Sequence, residues 1–169
     1  AIAEFESFSK NFPNSEKNAE ALYWMGKSYA SMDDCDNAAK YFNNLALKFP
    51  KNDYAALGLL EYALLLKKNN LVDTADAVFQ KIIEIYPQHE VAPQAGFERA
   101  ELSWGRGDTI SGIAKFRFVA DNYKETDFGD QSRYRIGMYY RKTGQIDAAI
   151  AEFLQIAEVY DNPSISADA

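Results

Sequence analysis

Apolar side chains recur along this chain at helical spacing, in paired stripes separated by short polar turns. Leu22, Met25, Gly26 and Tyr29 fall at i, i+3, i+4 and i+7, and Ala38, Phe42, Leu45 and Phe49 form a second stripe of the same kind. Between the two lies Asp33-Asp34, and comparable positions carry Asn70, Gly107-Asp108 and Gly144. These residue types tolerate a left-handed backbone and so stop the first helix of each pair. The pattern predicts one set of helices, here termed A, over 16–32, 53–69, 91–106 and 127–143. It predicts a second set, termed B, over 1–12, 35–49, 72–86, 109–123 and 146–160. Asp34 and Asp108 are expected to cap B helices by accepting from free N–H groups. Pro93 falls at the start of an A helix, where the missing N–H has no intrahelical partner to lose.

The pairs repeat. Pro13, Pro50 and Pro87 stand 37 residues apart, each after an aromatic residue. The same step links Phe5, Phe42, Phe79, Phe116 and Phe153, and also the small residues Ala1, Ala38, Ala75, Gly112 and Ala149. A further small column runs through Gly26, Ala63, Ala100 and Gly137. A helical hairpin cannot bury its apolar stripe alone, so hairpins in this pattern must stack on one another. The period divides the chain into a half repeat at 1–13, full repeats at 14–50, 51–87, 88–124 and 125–161, and the start of another at 162–169. Ala1 sits in a B-helix column, and Ala167 lies level with Asp130 of an A helix. We therefore expect the chain to be a piece of a longer array, with capping repeats elsewhere.

The columns carry the signature W-x2-L-G-x2-Y, A-x3-F, P of tetratricopeptide repeats. The first full unit reads Leu22, Met25, Gly26, Tyr29, Ala38, Phe42, Pro50, and the second reads Leu59, Tyr62, Ala63, Leu66, Ala75, Phe79, Pro87. The third departs at Gly96, Arg99 and Ser103, and the fourth at Arg133 and Asp161. The chain thus resembles the tetratricopeptide repeat family over essentially its whole length. That resemblance implies an all-α solenoid of antiparallel helix hairpins in a right-handed superhelix, whose A helices line a concave binding face. The stretch Phe5-x2-Phe8, Phe12-Pro13-Asn14-Ser15 and Ala21-x-Tyr23-Trp24-Met25-Gly26 narrows it further. It is similar to the repeats of bacterial Tol–Pal cell-division coordinators and of outer-membrane β-barrel assembly lipoproteins. That likeness implies a scaffold in a Gram-negative envelope, periplasmic or outer-membrane-associated, with a membrane-associated complex as its setting; composition alone is equally compatible with the cytoplasm.

Composition narrows the partner. The net charge of −7 disfavours nucleic acid and anionic membrane surfaces, which need clustered Lys and Arg. The longest nearly apolar stretch, Tyr54 to Leu66, contains Glu61 and is too short for a transmembrane segment. A single cysteine allows no internal disulfide.

Catalytic chemistry finds little support. His89 is the only histidine and lies in a loop, where a solvated role is expected. Asp33, Asp34, Cys35 and Asp36 resemble a metal cluster, but Cys35 shares a column with Val72, Thr109 and Ile146 and reads as a small buried hydrophobe. Gly105-Arg106-Gly107-Asp108 lacks the preceding strand and the Lys-Ser/Thr of a phosphate loop. No enzyme activity, cofactor or metal is expected.

The surface left for function is the A-helix face. Its fifth-position column is Tyr23, Leu60, Phe97 and Tyr134, all large and apolar. The ninth-position column is Lys27, Leu64, Glu101 and Met138, and the twelfth adds Trp104 and Arg141. The sixth-position column runs Trp24, Glu61, Glu98, Arg135, a passage from acid to base that would orient a ligand. The expectation is a groove for a protein or peptide partner, floored by the fifth-position side chains. Two alternatives stand beside it: curvature buries that column as core in a structural spacer, or the fold carries a small ligand. The family's clamp for chaperone carboxylates needs Lys and Asn where this chain has Tyr23, Glu61 and Gln94, so that function is not expected.

Overall fold

The computed structural model of the protein describes residues 2–13 and 15–160, with side chains to 157. Its described residues form nine α-helices. In chain order these are α1 (Ile2–Asn11), α2 (Lys17–Ser31), α3 (Cys35–Lys48), α4 (Asp53–Lys68), α5 (Val72–Ile85), α6 (Val91–Gly105), α7 (Thr109–Asn122), α8 (Asp127–Lys142) and α9 (Ile146–Tyr160). Every described end lies within one residue of the predicted boundary. Ala1 and residues 161–169, which carry the expectation of a further repeat, lie outside the described residues.

Local chemistry explains the boundaries. Asp33 and Asn70 have φ of 57° and 58°, and Gly107 and Gly144 have 81° and 79°, so all four A-to-B turns use one left-handed residue. Asp34 then accepts a hydrogen bond from the Asn37 N–H at 3.1 Å, and Asp108 from the Ser111 N–H at 3.1 Å. The A helices α4 and α8 are capped by Asn52 and Thr126, whose side chains accept from the Tyr54 and Gly129 N–H groups. Pro93 sits in the first turn of α6.

The chain forms two compact units, residues 1–95 and 96–169. In the first, α1 packs on α2, α2 on α3 and α4, α3 on α4, and α4 on α5. Phe42 is the pivot of that packing and is completely buried. A Cβ on Gly26 would fall 2.6 Å from its ring, so this column must stay small. Ala38, Leu45, Ala55 and Met25 complete the surrounding core. Burying a side chain such as Phe or Leu contributes about 1.5–3 kcal/mol. In the second unit, α8 packs between α7 and α9, and Ala100, Phe116, Ala120 and Ile136 are fully buried together.

Two side chains depart from their sequence-based reading. His89 is only 16% exposed rather than solvated. Its Nδ1 accepts from the Val91 N–H at 3.3 Å, satisfying a donor at the start of α6, and its ring meets Tyr86 edge-on. Cys35 is half-buried rather than buried, because it opens α3 at the rim of the core.

Candidate partner-binding surface

The fifth-position column divides into covered and open members. Tyr23 is 7% exposed and Leu60 8%, so both belong to the core of the first unit and offer no accessible floor. The cause at Tyr23 is the next A helix: Tyr54, in its first turn, lays its ring 5.1 Å from Tyr23. Phe97 is half-buried because Phe128, in the first turn of α8, comes within 5.6 Å on one side and Phe116 within 5.5 Å on the other. Tyr134 is 52% exposed, with Phe153 at 5.9 Å. Trp104 is half-buried against Phe116 and Tyr139, at 6.2 and 6.1 Å.

The charged positions are paired rather than graded. Lys27 Nζ lies 2.9 Å from Glu61 Oε1, and Arg135 Nε lies 2.7 Å from Glu101 Oε1. The hydrogen bond to Glu61 raises the Lys27 pKa above its ordinary value. An acid-to-base field through Glu61 and Arg135 is therefore compensated locally at both residues. Glu98, Leu64 and Met138 are half-buried, and Arg141 is exposed in the last turn of α8.

Among the described residues, an open hollow lies in each unit. In the first, Lys27, Ala30, Ser31, Glu61, Leu64, Leu65 and Lys68 border about 270 Å³ between α2 and α4. In the second, Phe97, Asp130, Gln131, Tyr134, Arg135 and Ile156 border about 460 Å³. Beside the first hollow, Trp24 is 42% exposed. Its ring meets Tyr23 edge-on at 5.4 Å, and Lys27 Nζ lies 5.8 Å from its centre. Sequence reasoning placed Trp24 in the charged column and passed over it as an anchor; a large aromatic among charges was the signal.

A buried charge network was also missed. Arg133, the departure from the repeat signature, is 9% exposed and donates to the Ala120 carbonyl at 3.0 Å. Glu152, 6% exposed, lies 3.5 Å from Arg133 and 2.5 Å from Arg117. Among the described residues no cluster of three or more His, Cys, Asp or Glu is placed to hold a metal ion, and no helix is long and apolar enough to cross a membrane.

Stacked helix hairpins of this period, with small–large columns at their contacts, define a helical-repeat protein of the interaction-scaffold class. Two sequence profiles, each described as tetratricopeptide repeat, match residues 20–52 and 58–89 and residues 130–163. The chain belongs to the tetratricopeptide repeat family. It is similar to outer membrane protein assembly factor BamD of Caulobacter vibrioides, with 22% identity over 91% of this chain. The chain spans 58% of that relative's length. Among solved structures it is similar to MamA, with a TM-score of 0.66 and 16% identity over 96% of this chain and 88% of that one. It is also similar to MamA 41-end of Desulfovibrio magneticus RS-1, with a TM-score of 0.60 and 17% identity over 99% and 86% of the two chains. At such identities these likenesses speak to the fold.

Proposed function

We propose that this scaffold binds a peptide or protein partner on its A-helix face, within an assembly of the Gram-negative cell envelope, and carries out no catalysis. Trp24 carries the reading. It is a large, half-exposed aromatic whose orientation is held by Tyr23 and Lys27, beside a hollow with apolar walls at Leu64 and Leu65. Aromatic anchors of this kind tend to dominate interface energies. The Lys27–Glu61 pair at the rim supplies both signs of charge for orienting a bound segment. The similarity to an outer membrane assembly factor supports an envelope location.

The test is capture from envelope extract by the full chain and by Trp24→Ala, with the variant's helix content checked by circular dichroism. A captured protein whose recovery falls at least tenfold in the variant supports the reading. Equal recovery overturns Trp24 as the anchor. Burial of Tyr23 and Leu60 favours a second reading, a structural spacer, and absence of any reproducible capture would select it.

A further inference from the structure

The entries to the A helices fall in one column: Ser15, Asn52, His89 and Thr126. Each of the four carbonyls accepts from the N–H three residues on, at 2.8 or 2.9 Å. Ser, Asn and Thr suit such a place because each offers a side-chain oxygen to a free N–H of the helix start. Asn52 Oδ1 accepts from the Tyr54 N–H at 3.0 Å, and Thr126 Oγ1 from the Gly129 N–H at 3.2 Å. His89 fills the same place with a nitrogen: its Nδ1 accepts from the Val91 N–H at 3.3 Å.

That acceptor has a property the oxygens lack. Histidine is the side chain that ordinarily changes charge between about pH 5 and 8. A neutral imidazole accepting at Nδ1 carries its one hydrogen on Nε2, so an incoming proton must go to Nδ1. The ring then turns a donor toward the Val91 N–H and sets a positive charge at a helix N-terminus, where the dipole opposes it. The groups around the ring do not reverse this. From α4, Asp53 Oδ1 lies 3.8 Å from Nε2 and favours the charged ring, but Asp53 is 89% exposed and its pull is screened. From the end of α5, Tyr86 meets the ring edge-on, and burial raises its phenol so that it stays neutral. Glu90, next along the chain, is exposed.

We propose that His89 is a proton-sensitive cap, which holds the start of α6 while neutral and releases it on acidification. The third repeat, whose A helix is α6, is thereby the one that weakens in acid. Stability in a stacked array is a sum of repeat and neighbour contributions, so one released helix start lowers the whole. The cap bond favours the neutral ring, so the unfolded chain takes up the proton more readily and stability rises with pH through the histidine range. The device uses none of the residues around Trp24 and stands whether or not that face binds a partner.

The test sets the full chain beside His89→Asn, which keeps a capping oxygen but takes up no proton. Urea unfolding of both at about pH 8 and about pH 5.5 spans most of the histidine range. On acidification the unfolding constant of the native chain should rise at least about threefold more than that of the variant, the size of a lost cap. Carboxylate titration is common to both chains and cancels in that ratio. Should His89→Asn lose helix content, His89→Ser, which installs the residue type of Ser15, takes its place. His89 is the only histidine, so its ring nitrogens give one unambiguous set of NMR signals. In the folded chain at about pH 8 they should report the Nε2–H tautomer. An Nδ1–H tautomer, an equal acid response in the two chains, or a native chain that resists acid better than the variant overturns the proposal.

Discussion

Lys27 Nζ contacts Glu61 Oε1 at 2.9 Å, and two repeats further on Arg135 contacts Glu101 at 2.7 Å with the signs exchanged. The same two helix positions thus form a cross-repeat bridge in either polarity, so geometry rather than a particular charge order sets the contact. Lys27 is 43% exposed, and a pair this solvated contributes about 0.2–1 kcal/mol. A double-mutant cycle of Lys27→Ala and Glu61→Ala should return a coupling in that range. Because the Lys27 pKa is raised on folding, the contribution is complete below its ordinary value near 10.5 and disappears as pH climbs through the folded value. A coupling that persists unchanged at high pH would show that charge is not its source.

Phe79 and Ala63 are both completely buried. Phe79→Ala should lower unfolding free energy by roughly 3–5 kcal/mol through lost burial and a cavity. Ala63→Leu should lower it by about 1–3 kcal/mol through overpacking. Chemical denaturation measures both, and a loss below 1 kcal/mol in either would contradict the packing described.

Helices, turns and small–large columns were legible because their causes are local and repeat every 37 residues. Left-handed turns at Asp33, Asn70, Gly107 and Gly144, and caps at Asp34 and Asp108, follow from residue type at a fixed place. The accessibility of the A-helix face was not legible, because exposure of a fifth-position side chain is decided by the next repeat. Tyr23 and Phe97 are covered by Tyr54 and Phe128, which the column analysis did not connect to them. Charge pairing was hidden for a similar reason, since Glu61 and Arg135 are neutralised by residues of preceding A helices. Arg133 looked like a weakened signature, and its compensation by Glu152 comes from a different helix of the hairpin.

Arg133 and Glu152 should respond unequally to substitution. Glu152→Leu removes the carboxylate shared by the buried Arg133 and the half-buried Arg117. Arg133 keeps Asp121 at 3.7 Å and the Ala120 carbonyl, so the loss should fall below the roughly 3–5 kcal/mol of a fully orphaned buried charge. Arg133→Leu installs the residue that the first two repeats carry at Leu22 and Leu59, and Arg117 remains to neutralise Glu152. Its loss should be smaller by at least about 1 kcal/mol on the same reasoning. Denaturant midpoints of the two variants decide the order; a reversed order would remove Glu152 from the centre of the network.

Cys35 should react slowly with alkylating reagents in the folded protein. Burial raises its thiol pKa, and the neighbouring Asp33, Asp36 and Asp34 add to the effect. The thiolate is the reactive species, so the alkylation-rate profile should lie at higher pH than that of the urea-unfolded chain. Asp33→Asn should move the folded profile back toward lower pH. Coincident folded and unfolded profiles would count against this environment.

The turn residues isolate a backbone term from packing. A Cβ on Gly107 would meet nothing within 4 Å, so Gly107→Ala tests only its φ of 81°. A left-handed backbone is unfavourable for a residue with a Cβ by about 1–2 kcal/mol, so the variant should lose stability in that range. Asn70 already occupies such a conformation at φ 58°, and Asn70→Gly should gain a fraction of that amount, since Asn tolerates the region better than other non-glycine residues. Asp33→Gly relieves the same strain but removes the carboxylate that Lys68 contacts at 2.6 Å. That pair is exposed on both sides and adds little, so the glycine variant should be neutral to mildly stabilised. Thermal unfolding of the three variants side by side checks the argument. Stabilisation by Gly107→Ala would mean that the turn does not need its left-handed residue.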